Sequence, residues 1–109
     1  MIRAAPKRAV DLRPVCFIIA GMNGNEAFAA IADPNRRILL EELRRGPRSV
    51  SELAALIPAI SRPAVSQHLK ALLDAGLADV KAQGTSRVYS LSHEGFTPVS
   101  LWVDQFWNV

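Results

Sequence analysis

The chain has 109 residues, half of them hydrophobic, enough for one domain whose folding buries roughly two-thirds of the extended-chain surface. Its single cysteine, Cys16, excludes an intrachain disulfide framework or a thiolate cluster, and no apolar run approaches the roughly 20 residues that span a bilayer. The formal charge is +3, but four of the 13 basic residues (Arg3, Lys7, Arg8 and Arg13) fall in residues 1–21 with one acid, Asp11, leaving nine of each sign in residues 22–109. An anionic partner must therefore be argued from where the charges sit, not from their sum.

In chain order, residues 1–22 hold two prolines and scattered basic residues without a sustained period, and are expected to be a weakly ordered leader. Val15 to Ala20 is too short for a secretory signal core and no small-residue cleavage pattern follows; the lone cysteine suits a reducing cytoplasm. Met22 precedes the first clean helical pattern, so translation is hypothesised to begin there; intact mass from the native source tests this. Residues 23–109 are expected to form one domain.

From Asn25, "NEAFAAIA" predicts a short helix with Phe28, Ile31 and Ala32 on one side. Asp33 caps a second helix opened by Pro34, in which Ile38, Leu39, Leu40 and Leu43 precede a stop at Gly46. Ser49 and Glu52 stand at capping-box spacing before a two-turn helix that turns Val50, Leu53 and either Leu56 or Ile57 inward. After a tight connection, Ser61 caps "RPAVSQHLKALLDA", which Gly76 terminates. Two short helices joined by about three residues spell a possible helix-turn-helix.

In that second helix Val65, Leu69, Leu72 and Leu73 form an apolar stripe, leaving Arg62, Pro63, Ser66, Gln67 and Lys70 on the free side. Arg and Gln pair with guanine and adenine edges in a major groove, whereas Ser66 and Lys70 suit phosphates or mixed positions. A polar helix face is ordinarily just solvated, so its neighbours must carry the argument. Beyond Gly76 the period shortens, and two strands around "QGTS" predict a hairpin with Val80 on the first strand, Val88, Tyr89 and Leu91 on the second, and Lys81 and Arg87 flanking the tip. That is the order of a winged helix-turn-helix, with Lys81 or Arg87 placed against backbone or a minor groove.

Thr97 and Pro98 open a last helix expected to run over residues 98–109. There Val99, Leu101, Trp102, Val103, Phe106, Trp107 and Val109 cover most of the helix and leave Ser100, Asp104 and Asn108 as a narrow polar strip. One small domain can hardly bury all of that. A second copy is the simplest cover, with Phe28 and Ile31 joining the seam; the alternative fills the intrachain core with Trp102 and Phe106.

The stretches "DPNRR", "SRPAVSQHLKALLDAGL" and "SRVYSL", within residues 25–107, together resemble the ArsR family of winged-helix bacterial repressors. The short ending after "LWVDQFW" resembles the SdpR-like autorepressor branch. The resemblance implies a mainly α fold with a small β-hairpin, a homodimer through the first and last helices, and double-stranded DNA as partner. It further implies repression at a palindromic operator, which includes the protein's own promoter in the autorepressor branch.

Many members of that family sense metals through a thiolate pair before the recognition helix or through carboxylate and histidine ligands on the last helix. This chain departs from both patterns, with "VSELA" in the first region and only Asp104 beside amides in the second, so neither metal nor other cofactor is expected. His68, on the flank of the apolar stripe, suits a hydrogen-bonded packing residue better than a ligand. His93 is expected in a loop, and Cys16 to be an inert thiol. Arg36 and Arg37 suit DNA backbone and a structural role equally well. No phosphate loop, activated nucleophile or paired acidic motif suggests an enzyme. The rival function is a winged-helix module that binds protein and not DNA; a sensor of a small organic ligand at the dimer seam is a third.

Overall fold

The computed structural model describes residues 25–107; the leader and Cys16, and Asn108 and Val109, lie outside the described residues. Helix α1, Asn25–Ile31, buries Ala27 and Ala30. The expected face of Phe28, Ile31 and Ala32 is therefore displaced: Phe28 and Ile31 are half-buried, and Ala32 is exposed beyond the helix end. Two alanines allow a closer approach to the core than the larger side chains, which take the flank.

Asp33 caps α2, Pro34–Arg44, by accepting from the backbone N–H groups of Asn35 at 2.8 Å and Arg36 at 3.3 Å. Leu39, Leu40 and Leu43 are buried, while Ile38 stays 40% exposed because it stands about 100° around the helix from Leu39. Strand β1, Arg48–Ser49, leads into α3, Val50–Leu56. Its capping box is complete: the Ser49 N–H donates to Glu52 Oε1 at 2.8 Å and the Glu52 N–H to Ser49 Oγ at 3.2 Å. Of the two alternatives at its end, Ile57 is buried and Leu56 is exposed.

Helix α4, Arg62–Asp74, begins at Ser61, whose Oγ accepts from the Ala64 N–H at 3.2 Å. It ends in a pair of bonds, Gly76 N–H to Leu73 O at 3.0 Å and Leu77 N–H to Leu72 O at 2.9 Å, a termination that needs the left-handed backbone of Gly76, at φ 80°. Strands β2, Ala78–Gln83, and β3, Ser86–Leu91, follow, and the antiparallel sheet has the order β1-β3-β2. The two-residue β1 is too short to show a period in sequence, and it makes the expected hairpin a three-stranded sheet.

A 3₁₀ turn, His93–Phe96, leads to α5, Thr97–Asp104, and a second 3₁₀ turn, Gln105–Trp107. The last helix is thus shorter than expected and tightens after Asp104, as helix ends commonly do. The first 3₁₀ turn rests on the end of α4: a Cβ on Gly95 would collide with the Gly76 carbonyl.

The core is apolar, with Leu39, Leu53, Val65, Leu69, Leu72 and Leu77 fully enclosed and Tyr89 closing it from the sheet. Leu73, expected on the core stripe, is only half-buried on its edge. Among the described residues no helix is long and apolar enough to cross a membrane.

Candidate nucleic-acid interface

Helices α3 and α4, joined by residues 57–61, form a helix-turn-helix, and burial divides α4 by face. Val65, Leu69 and Leu72 are enclosed, whereas Arg62, Pro63, Ser66, Gln67 and Lys70 are all exposed. Arg62, Ser66 and Lys70 follow one another at every fourth position, with Pro63 and Gln67 beside them, so all five share one side. Ser61 takes the N–H of Ala64 on its hydroxyl and that of Val65 on its carbonyl, and Pro63 has none, so Arg62 carries the remaining first-turn N–H at the end where the helix dipole favours an anion. Lys70 carries a local competitor: its Nζ lies 3.0 Å from Asp74 Oδ2 on the next turn, with both side chains largely exposed.

On the wing, Gln83 pairs with Ser86 across the two-residue tip of Gly84 and Thr85. Gly84 supplies the positive φ, 61°, that such a tip requires. The register sets Lys81 opposite Val88 and Arg87 opposite Ala82. Directly opposed residues share a face and successive ones alternate, so Lys81 and Arg87 project from opposite faces of the wing. Arg87 shares its face with Tyr89; both cations are exposed.

The two arginines of α2 have separate tasks. Arg37 Nη1 donates to the carbonyls of Ile31 at 2.8 Å and Ala32 at 3.1 Å, closing the end of α1. Arg36 Nε donates to His68 Nδ1 at 3.2 Å, joining α2 to α4. The hydrogen-bonded setting expected for His68 is present; its partner, 32 residues away, had no signal in sequence.

At Asp33, desolvation pushes the carboxyl pKa upward, but the Asn35 and Arg36 N–H donors, with the nearby positive charge of Arg36, outweigh it and hold the group below its ordinary value. The backbone and hydroxyl of Ser49 do the same for Glu52, helped by Arg48. An ionised carboxylate thus braces each helix start, Asp33 as the cap of α2 and Glu52 as the partner of the Ser49 cap of α3.

A second surface lies on α5, in which no residue is buried. Phe28 meets Trp102 edge to face at a centroid separation of 5.5 Å, and Trp102 meets Phe106 likewise at 4.8 Å. Trp102, Val103, Phe106 and Trp107 are exposed, the last two by 60% and 63%. Ile31 and Val99 instead pack partly against the intrachain core. Among the described residues no group of three or more His, Cys, Asp or Glu side chains is placed to share a metal ion.

A family model described as a helix-turn-helix domain matches residues 31–81. The HTH-type transcriptional regulator Rv2034 of Mycobacterium tuberculosis is 46% identical over 84 residues, which are 77% of this chain and 78% of that protein. The transcriptional repressor SdpR of Bacillus subtilis is 32% identical over 84 residues, 77% of this chain and 92% of its own. The crystal structure of an ArsR family transcriptional regulator superposes with a TM-score of 0.71 at 36% identity, covering 80% of this chain and 89% of that one. Sequence, fold order and the exposed helix face therefore converge, and the chain belongs to the ArsR family of winged helix-turn-helix, DNA-binding transcriptional regulators.

Proposed function

We propose that the protein is a cytoplasmic homodimeric repressor that sets two copies of α4 into successive major grooves of a palindromic operator, its own promoter among the targets. The observation that carries the proposal is the pairing of two exposed surfaces of opposite character. The polar face of α4 offers Arg62, Pro63, Ser66, Gln67 and Lys70, and the unburied α5 with the 3₁₀ turn after it offers aromatic side chains. In this assignment Arg62 and Gln67 read base edges, Pro63 sits against the groove, Ser66 and Lys70 hold phosphate, and Lys81 and Arg87 on the wing flank the backbone. Phe28, Ile31, Val99, Trp102, Val103, Phe106 and Trp107 form the two-fold seam, for which an exposed aromatic patch is the expected composition. Residues 23–109 act as the DNA-binding and dimerisation unit, with residues 1–22 as its leader. Regulation needs neither a bound metal nor catalysis in this scheme.

The test is fluorescence anisotropy with a labelled duplex from upstream of the protein's own gene and a scrambled duplex, over a salt series. Preferential binding whose log affinity falls linearly with log salt supports the proposal. Equal, feeble binding to both duplexes, with a clean monomer in sedimentation at micromolar concentration, refutes it and favours the protein-binding module.

A further inference from the structure

Helix α4 is held to the core chiefly by Val65, Leu69 and Leu72, all fully buried. Burial of that kind is strong but non-directional. It sets which side of the helix turns inward, but it offers no directional contact on the flank, and a small rotation about the axis displaces every side chain on the outer face. A hydrogen bond is directional and weakens steeply off axis. His68 adjoins Gln67 in the chain, and its Nδ1 accepts a hydrogen bond from Arg36 Nε–H at 3.2 Å. The donor's side chain springs from an anchored point, because the backbone N–H of Arg36 donates to the Asp33 carboxylate at 3.3 Å in the first turn of α2.

We propose that His68, through its bond to Arg36, is the positioning residue that sets the rotation of α4 and so fixes which bases Gln67 and Arg62 meet. The inference rests on the operator-binding function proposed above, and its structural half stands apart from it. Acceptance at Nδ1 requires the imidazole to be neutral with its proton on Nε2. Asparagine places its amide oxygen where Nδ1 stands, so His68→Asn keeps the acceptor and His68→Ala removes it. Arg36→Met removes the donor from the other helix and keeps the length of its stem.

The experiment compares the full-length protein with these three variants by two readouts, with the thermal midpoint as a check on folding. Amide residual dipolar couplings, without DNA, give the orientation of residues 62–74 relative to residues 34–44. Anisotropy with a duplex selected by the wild type from a random pool, and with single-base substitutions of it, gives base discrimination. The expected result is that His68→Ala and Arg36→Met alter the α4 couplings and lower discrimination about tenfold, the worth of one bidentate base contact. His68→Asn is expected to restore both to within about twofold. Unchanged couplings in His68→Ala and Arg36→Met, or unchanged discrimination despite altered couplings, overturn the inference, as does a His68→Asn variant no better than alanine. If the wild type selects no duplex while the couplings respond as expected, the operator-binding function has failed and the rotational tie has not.

Discussion

Gln67 and Lys70 stand three positions apart on the outer side of α4, yet their chemistry separates their roles. An amide that donates and accepts in one plane discriminates adenine, while an ammonium on a flexible stem meets any phosphate. Gln67→Ala is expected to relax base preference, measured as the affinity ratio for operator and substituted duplexes. Lys70→Ala is expected to weaken every duplex alike and to reduce the salt slope by about one. Equal specificity in both variants and the wild type would argue against these roles. Asp74 adds a second expectation, because it occupies the Lys70 ammonium at 3.0 Å in the free protein. Exposed pairs of this kind are worth about 0.2–1 kcal/mol, so Asp74→Asn should raise affinity for all duplexes by about 1.4-fold to fivefold at low salt, read by the same anisotropy titration.

Among the elements, helix starts carry much of the specification. Ser61 holds the first turn of the reading helix through one bond to Ala64, and Ser61→Ala is expected to cost about 1 kcal/mol, measurable as a lower midpoint in urea unfolding. The carboxylates Asp33 and Glu52, at the starts of α2 and α3, give a pH dependence. Both carboxyls lie below their ordinary values when folded, so their contribution is complete above the unfolded values and disappears as pH falls through the lower folded ones. Stability should therefore decline on the acid side of the usual carboxylate range, and Glu52→Gln should flatten that decline in pH-dependent thermal melts. These starts were legible in sequence because capping residues act within a few positions of themselves, as were Gly76 and the tip around Gly84. The β1 pairing to β3, the choice of Ala27 and Ala30 as the inward face of α1, and the Arg36–His68 bond were not. Each depends on a neighbour distant in the chain, and local periodicity carries no information about it.

For the whole molecule, association is the governing quantity. Trp102 and Val103 are exposed on a helix with no buried residue, and Phe106 and Trp107 on the 3₁₀ turn that follows it, so Phe106→Asp should not disturb the intrachain core. It is expected to yield a folded monomer in sedimentation and to lower operator affinity about a hundredfold, because two linked half-sites bind far more tightly than one. A dimer that persists in this variant would place the seam elsewhere. The contact between Gly95 and the Gly76 carbonyl bears on the same assembly. With no side chain between the two backbones, the turn that launches α5 has nothing compressible separating it from the end of α4. A dimer joined through α5 would hold its two reading helices as callipers hold their jaws, at a separation set by backbone against backbone. Such an instrument measures the spacing between half-sites as strictly as their bases.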